Sequence, residues 1–267
     1  MLKKRIIFTL LYNDGFFMLS RNFRLQKVGN IQWLQKNYNF SRISFCIDEL
    51  IILDVSRQER DIPKFCNCIK TLTEGCFIPI AAGGGIRTIE HAKSLLQSGA
   101  DKVVLNSSIF SNLGLVQQIA QEFGRQSIVA SVDAKRSDMG YTIWTNNGNI
   151  PQDSFLGNWS SNLANLPIGE LYLNSMDRDG TGQGYDFGML DHLPKSITVP
   201  LIIAGGAGKD QHLGEGLSDH RVDAVATAHL FNFVGDGLVK AREKLLSDKY
   251  NLPIWDVEFN KFKKLYN

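Results

Sequence analysis

Short apolar runs rich in β-branched residues recur eight times along the chain, each followed by a polar loop and usually by a segment with helical spacing. They cover residues 5–11, 49–55, 78–82, 102–105, 127–132, 170–173, 200–203 and 223–226. Between them the apolar periodicity predicts amphipathic helices over 88–98, 113–123 and 237–246, the first opened by Thr88 and closed by Gly99. Continuous apolar strands alternating with helices imply a parallel sheet covered by helices. Eight such units without an intervening linker favour closure into a barrel over an open doubly wound sheet. The absence of a G-x-G-x-x-G fingerprint after the first run points the same way.

An internal repeat sharpens this expectation. Glu49-Leu50 recurs as Glu170-Leu171, Pro79 as Pro200, Gly84-Gly85 as Gly205-Gly206 and Phe110 as Phe231, all at one separation. The chain therefore reads as an α/β protein, a (β/α)8 TIM barrel built from two similar half-barrels. Its 267 residues fit one such domain, with a barrel core at about 4–247 and a C-terminal extension at 248–267.

Bulk properties exclude several function classes. A net charge of +2 is too small for non-specific nucleic-acid binding, and the basic tail Lys261-Phe262-Lys263-Lys264 is short. The start, residues 1–11, superficially imitates a signal peptide, but Tyr12-Asn13-Asp14-Gly15 follows in place of a small-residue cleavage site. No apolar run approaches the roughly 20 residues needed to span a bilayer, so a cytoplasmic protein without a membrane partner is expected. Cys46, Cys66, Cys68 and Cys76 form no C-x-x-C pair, and the five histidines are scattered, so neither a metal nor a cofactor is expected. No cysteine sits in a glycine-flanked nucleophile turn, so the chain is not expected to hydrolyse glutamine itself.

The residues that carry chemistry fall at strand ends. Gly83-Gly84-Gly85-Ile86-Arg87 and Gly205-Gly206-Ala207-Gly208-Lys209 each follow a strand, where glycine lets backbone N–H groups approach an anion closely. Asn106-Ser107-Ser108 and Thr227-Ala228-His229 follow the next strand of each half. With Gly84, Gly85, Gly205 and Gly206, the residues Asn106, Ser107 and Thr227 form two candidate phosphate sites facing one another. Ordinary turn chemistry is the competing explanation for Ser107 and Thr227. Asp133 ends the fifth strand, a position that in barrels is more often catalytic than structural. Asp179, in Asp177-Arg178-Asp179-Gly180-Thr181, is the second candidate, although its neighbours would also make a good turn. Acid–base chemistry usually wants two groups of complementary protonation state. The repeat places the partner of Asp133 at the end of the first strand, and that residue is Leu11. Arg5, Glu49, Lys102 and Glu170 lie near the beginnings of strands and would face the other end of the barrel. On sequence alone they read as a stabilising ion-pair ring.

These motifs, with Lys4-Arg5-Ile6-Ile7, Asp48-Glu49-Leu50 and Asp101-Lys102-Val103, resemble in order and over residues 1 to 246 the cyclase subunit of imidazole glycerol phosphate synthase, the HisF type. The resemblance implies a barrel that binds a ribonucleotide with a phosphate at each end. It also implies a separate glutaminase subunit docked beneath, which sends ammonia through the barrel interior. In that frame Arg5, Glu49, Lys102 and Glu170 form a charged gate at the ammonia entrance. Asp133 and Asp179 match family active-site positions, but Leu11 stands where the family has a second catalytic aspartate, and Leu19 stands where it has a lysine. This combination resembles divergent paralogues linked to surface-polysaccharide genes, which with a glutaminase supply ammonia to a sugar-modifying amidotransferase. Two alternatives stay open: a working histidine-pathway cyclase, and a catalytically silent activator of its glutaminase.

Overall fold

The computed structural model describes residues 2–254 except 39–42, 44, 75, 76, 162, 196, 231 and 232. The repeat pair formed with Phe231, Cys76, the basic tail and most of the C-terminal extension lie outside the described residues.

Eight parallel strands close into a barrel. In chain order they are β1 (Arg5–Asn13), β4 (Glu49–Asp54), β5 (Ile80–Gly83), β6 (Lys102–Leu105), β7 (Ile128–Ser137), β10 (Glu170–Ser175), β11 (Leu201–Ala204) and β12 (Ala224–Thr227). Parallel pairing of β1 with β12 and of β7 with β10 completes the circle. Every expected strand is present. The sequence reading did not foresee two antiparallel additions at the mouth. β2 (Phe16–Arg21) and β3 (Arg24–Gly29) extend β1, while β8 (Gly140–Thr145) and β9 (Ile150–Phe155) extend β7. They follow the first and fifth barrel strands, so the two halves of the chain carry the same embellishment.

Alternation along each strand sorts side chains into two cores. Ile6, Phe8, Leu10 and Tyr12 of β1 and Leu50 and Ile52 of β4 point outward against the helices. Ile7, Ile51, Ala81, Val104, Val129, Tyr172, Ile202 and Ala224 fill the barrel interior. Both faces are buried, which is why these strands read as continuous apolar runs. Each fully buried Leu, Ile or Phe contributes roughly 1.5–3 kcal/mol.

The helices cover the outer core and are capped by their own sequence. Asp61 accepts from the Lys64 amide to start the helix Ile62–Thr73, which buries Phe65, Ile69 and Leu72. Thr88 accepts from the His91 amide at the start of Ile89–Gln97. Asn112 does the same for Leu113–Phe123 through Leu115. The last helix among the described residues, Gly237–Ser247, is tied to the barrel by a buried ion pair. Arg242 donates to both Asp48 carboxylate oxygens at 3.0 and 2.8 Å, and Asp48 also accepts from the Ile6 amide. That pair joins this helix to the starts of β1 and β4. Among the described residues no helix is long and apolar enough to cross a membrane.

Candidate active site at the barrel mouth

The inward-facing residues stack in layers from the N-terminal to the C-terminal end of the strands. At the base Arg5, Glu49, Lys102 and Glu170 meet. Arg5 Nη1 lies 2.8 Å from Glu49 and 2.9 Å from Glu170, and Lys102 Nζ lies 3.0 and 3.2 Å from the same two carboxylates. The charges alternate around a closed ring. Burial, the largest influence, raises the Glu49 carboxyl above its ordinary range, and the nearby Glu170 charge adds to this against the pull of Lys102 and Arg5. One Glu170 oxygen, Oε2, is buried with no hydrogen-bond partner. Above the ring comes the apolar layer of Ile7, Ile51, Ala81, Val129, Ile202 and Ala224.

At the other end opens a cavity of about 670 Å³, within the range of small-molecule sites. Thr9 and Tyr172, whose hydroxyls meet at 3.2 Å, lie among its deepest lining residues. Asp133 stands above them. Its Oδ1 accepts from Asn174 Nδ2 at 2.8 Å and its Oδ2 from Asn106 Nδ2 at 3.2 Å. Burial, the largest influence, and the Asp179 charge together push this carboxyl up to about 7, against the two amide hydrogen bonds, which hold it down. A group with that value exchanges protons readily at neutral pH, as general acid–base chemistry requires.

Asp179 occupies a different environment. Its Oδ2 accepts from the Ser20 hydroxyl and, at 3.0 Å, from the Phe23 amide, and its carbonyl accepts from the Asn22 amide. The carboxylate thereby latches the β2–β3 turn onto the loop after β10. Asn22 and Phe23 sit in the left-handed region at φ +50° and +62°, a conformation that costs a residue such as Phe energy and persists only when its surroundings hold it. Arg57 adds a second hold by donating to the Phe23 carbonyl at 2.7 Å. Burial raises the Asp179 carboxyl above its ordinary range.

The turn brings Leu19, Leu25 and Phe23 to the cavity, where they join Leu11 and Leu53 in an apolar wall. Leu11, at the mouth end of β1, supplies only hydrocarbon to the cavity.

The two glycine loops face the cavity at equivalent places. Gly84 and Gly205 are held at φ +111° and +88°, and a Cβ on either would lie 2.1 or 2.6 Å from the carbonyl oxygen ending the preceding strand, that of Asp54 or Ser175. Packing alone therefore demands glycine at both positions. Gly85 and Gly206, also at positive φ, line the cavity beside them. Asn106 directs its amide to Ser131 and Asp133, and the Thr227 hydroxyl donates to the Ala207 carbonyl at 3.0 Å. Ser107 is exposed and accepts from the Asn146 amide. Sequence reasoning missed Asn174, Tyr172, Thr9 and the arginines 57, 60 and 87, all of which line the cavity. The signal for the first three was the period of two running inward from Glu170 and Arg5.

A closed parallel barrel of two similar halves, with its cavity at the carboxyl ends of the strands, defines a (β/α)8 barrel protein. The chain belongs to the histidine biosynthesis protein family, which matches residues 28–235, and within that family it is a HisF-like cyclase subunit. It is 50% identical over 244 residues, 91% of each chain, to a protein of Parasynechococcus marenigrum provisionally named imidazole glycerol phosphate synthase subunit hisF2. It is 35% identical over 246 residues to the HisF subunit of imidazole glycerol phosphate synthase from Chlorobaculum tepidum, covering 92% of this chain and 96% of that one. The HisF subunit of Chloroherpeton thalassium is 36% identical over 234 residues, 87% of this chain and 92% of its own.

Proposed function

We propose that this chain is the ammonia-conducting subunit of a glutamine amidotransferase, paired with a separate glutaminase at the N-terminal face of the barrel. In this reading it supplies ammonia to a sugar-modifying amidotransferase for amidation of a nucleotide-sugar in surface-polysaccharide biosynthesis, in place of the histidine-pathway ring closure. The observation that carries the reading is the contrast between the two ends of one barrel. The base keeps a closed ring of Arg5, Glu49, Lys102 and Glu170. The mouth has Leu11 and Leu19 in its wall.

The barrel interior between them suits neutral ammonia better than ammonium. Its apolar layer gives an ammonium ion no replacement for lost hydration, and burying an unpaired charge is costly. The Thr9 and Tyr172 hydroxyls then offer a hydrogen-bonding waypoint below Asp133. Leucine cannot transfer a proton, and loss of one general acid–base group typically costs 10²–10⁴ in rate, so ring closure by the paired-carboxylate route is disfavoured.

A second reading rests on Asp133. A carboxyl held by two amides with a value of about 7 is fit to move protons, which favours chemistry at the mouth itself. A parallel assay of glutamate release and product amidation separates the two. If Lys102 or Glu49 variants release glutamate without amidation while Asp133→Asn stays coupled, the conducting role holds. If Asp133→Asn abolishes amidation and the ring variants stay coupled, the mouth is the chemical centre and the conducting role is wrong.

A further inference from the structure

The cavity is electrically lopsided. Its lining contains three cationic side chains, Arg57, Arg60 and Arg87, and all three belong to the loops after β4 and β5 at the Gly84–Gly85 end. No lysine or arginine lines the Gly205–Gly206 end among the described residues. The internal repeat does not explain this. The positions equivalent to Arg60 and Arg87 are Thr181 and Gly208. Arg178, which corresponds to Arg57, is absent from the cavity lining and donates to Gln183.

The cluster is built into the fold. The Arg60 side chain lies over Gly85, where a Cβ would come within 2.5 Å of its Cδ and 2.9 Å of Nη1, so glycine there leaves room for the guanidinium. Arg60 Nε is buried and has no hydrogen-bond partner. The nearest carboxylate, Asp54, is 3.8 Å from it, and its Oδ1 already accepts from the Ser56 amide. Burial depresses the Arg60 pKa, and repulsion from Arg87 adds to that effect against the attraction of Asp54. Arg60 thus has one distant carboxylate, Asp54, and a repelling neighbour in Arg87. The β8–β9 turn closes over the same end, with Asn147 donating to the Val55 and Ser56 carbonyls.

We propose that Arg57, Arg60 and Arg87 form a diphosphate subsite over the Gly84–Gly85 loop, so that the ligand of this cavity is a diphosphate ester of the nucleoside-diphosphate kind bound in one orientation. The inference rests on the reading of the glycine loops as phosphate cradles. A single phosphate is served by the loop amides and one forked guanidinium. Three guanidiniums, each with five rigidly arranged donors, supply more than one phosphoryl group can accept. At the opposite end, the Gly205–Gly206 loop brings no lysine or arginine to the cavity and suits an uncharged or weakly charged part of the ligand. The leucine wall lies along the same cavity.

The test is calorimetric titration of the protein with inorganic pyrophosphate and, separately, inorganic phosphate at fixed ionic strength. The expected result is tighter binding of pyrophosphate by about ten-fold or more, since each added charged hydrogen bond contributes on the order of a ten-fold gain. Arg87→Gln and Arg57→Gln, both at exposed positions, should remove most of that preference while leaving phosphate binding within a few-fold. Phosphate binding with no pyrophosphate preference, or a preference unchanged in both variants, overturns the diphosphate subsite and leaves the phosphate-cradle reading standing. Binding of neither anion overturns both.

Discussion

The Asn174 amide donates to the Asp133 carboxylate at 2.8 Å across neighbouring strands β10 and β7, and holds that group in place in the cavity. Asn106 donates to the other oxygen from β6, on the opposite side. Burial outweighs both contacts and lifts the group to about 7. Because the folded value lies above the unfolded one near 4, the folded state holds the extra proton between those limits. The stability contributed by Asp133 is therefore present below pH 4 and lost as pH rises through 7. Thermal unfolding measured from pH 3 to 8 should show this decline, up to about 4 kcal/mol from a shift of roughly three units. Asp133→Asn should flatten it. A carboxyl carbon that titrates near 4 by NMR would refute the assignment.

Breaking the basal ring should be costly. Lys102→Met leaves Glu49 and Glu170, both largely buried, with only Arg5 between them. Removing one partner of a buried ion pair typically costs 3–5 kcal/mol, and the partial solvent access of Lys102 places the expected loss near the lower figure. Denaturant unfolding checks this, and a loss below about 1 kcal/mol would show that water already screens the ring.

The glycine loops should differ in tolerance. A methyl on Gly206 would lie 2.1 Å from the Gly184 carbonyl oxygen, which is backbone. On Gly85 it would meet the flexible Arg60 side chain. Both positions carry the left-handed strain of roughly 1–2 kcal/mol. Gly206→Ala should therefore destabilise by at least about 1 kcal/mol more than Gly85→Ala, while Gly85→Ala should disturb anion binding by displacing Arg60. Equal losses of stability would contradict the contact geometry.

A histidine auxotroph lacking its cyclase subunit should not be rescued by this chain, because Leu11 and Leu19 supply neither proton transfer nor charge at the mouth. The double variant Leu11→Asp, Leu19→Lys restores both groups and should recover partial growth if folding survives. Near-normal growth with the unaltered chain would show that a single acid, Asp133, suffices.

Much of this architecture was legible from residue order. The eight barrel strands are buried on both faces, so their apolar runs stand out. Asp133 and the glycine pairs fall at strand ends, where position alone suggests chemistry. The mouth hairpins were not read. β3 and β9 are largely exposed and polar, so no apolar run marks them, but Asp14-Gly15, the two residues between β1 and β2 and both at positive φ, carried a hairpin signal that the reading passed over. The latch from Asp179 to Ser20 joins residues far apart in sequence, so no local pattern announces it. Arg57, Arg60 and Arg87 sit in two loops that the parallel pairing of β4 with β5 brings together, although they are up to thirty residues apart in sequence.

The central claim is that the base of this barrel receives ammonia from a glutaminase. Its most direct measurement is glutamate release by a glutaminase subunit from the same organism, with and without this chain at micromolar concentration, alongside sedimentation of the mixture. A one-to-one complex with hydrolysis stimulated at least about ten-fold is expected, and it should weaken when Lys102 or Glu49 is replaced. Separate sedimentation of the two proteins, with unchanged glutamate release in the presence of glutamine, would contradict the account.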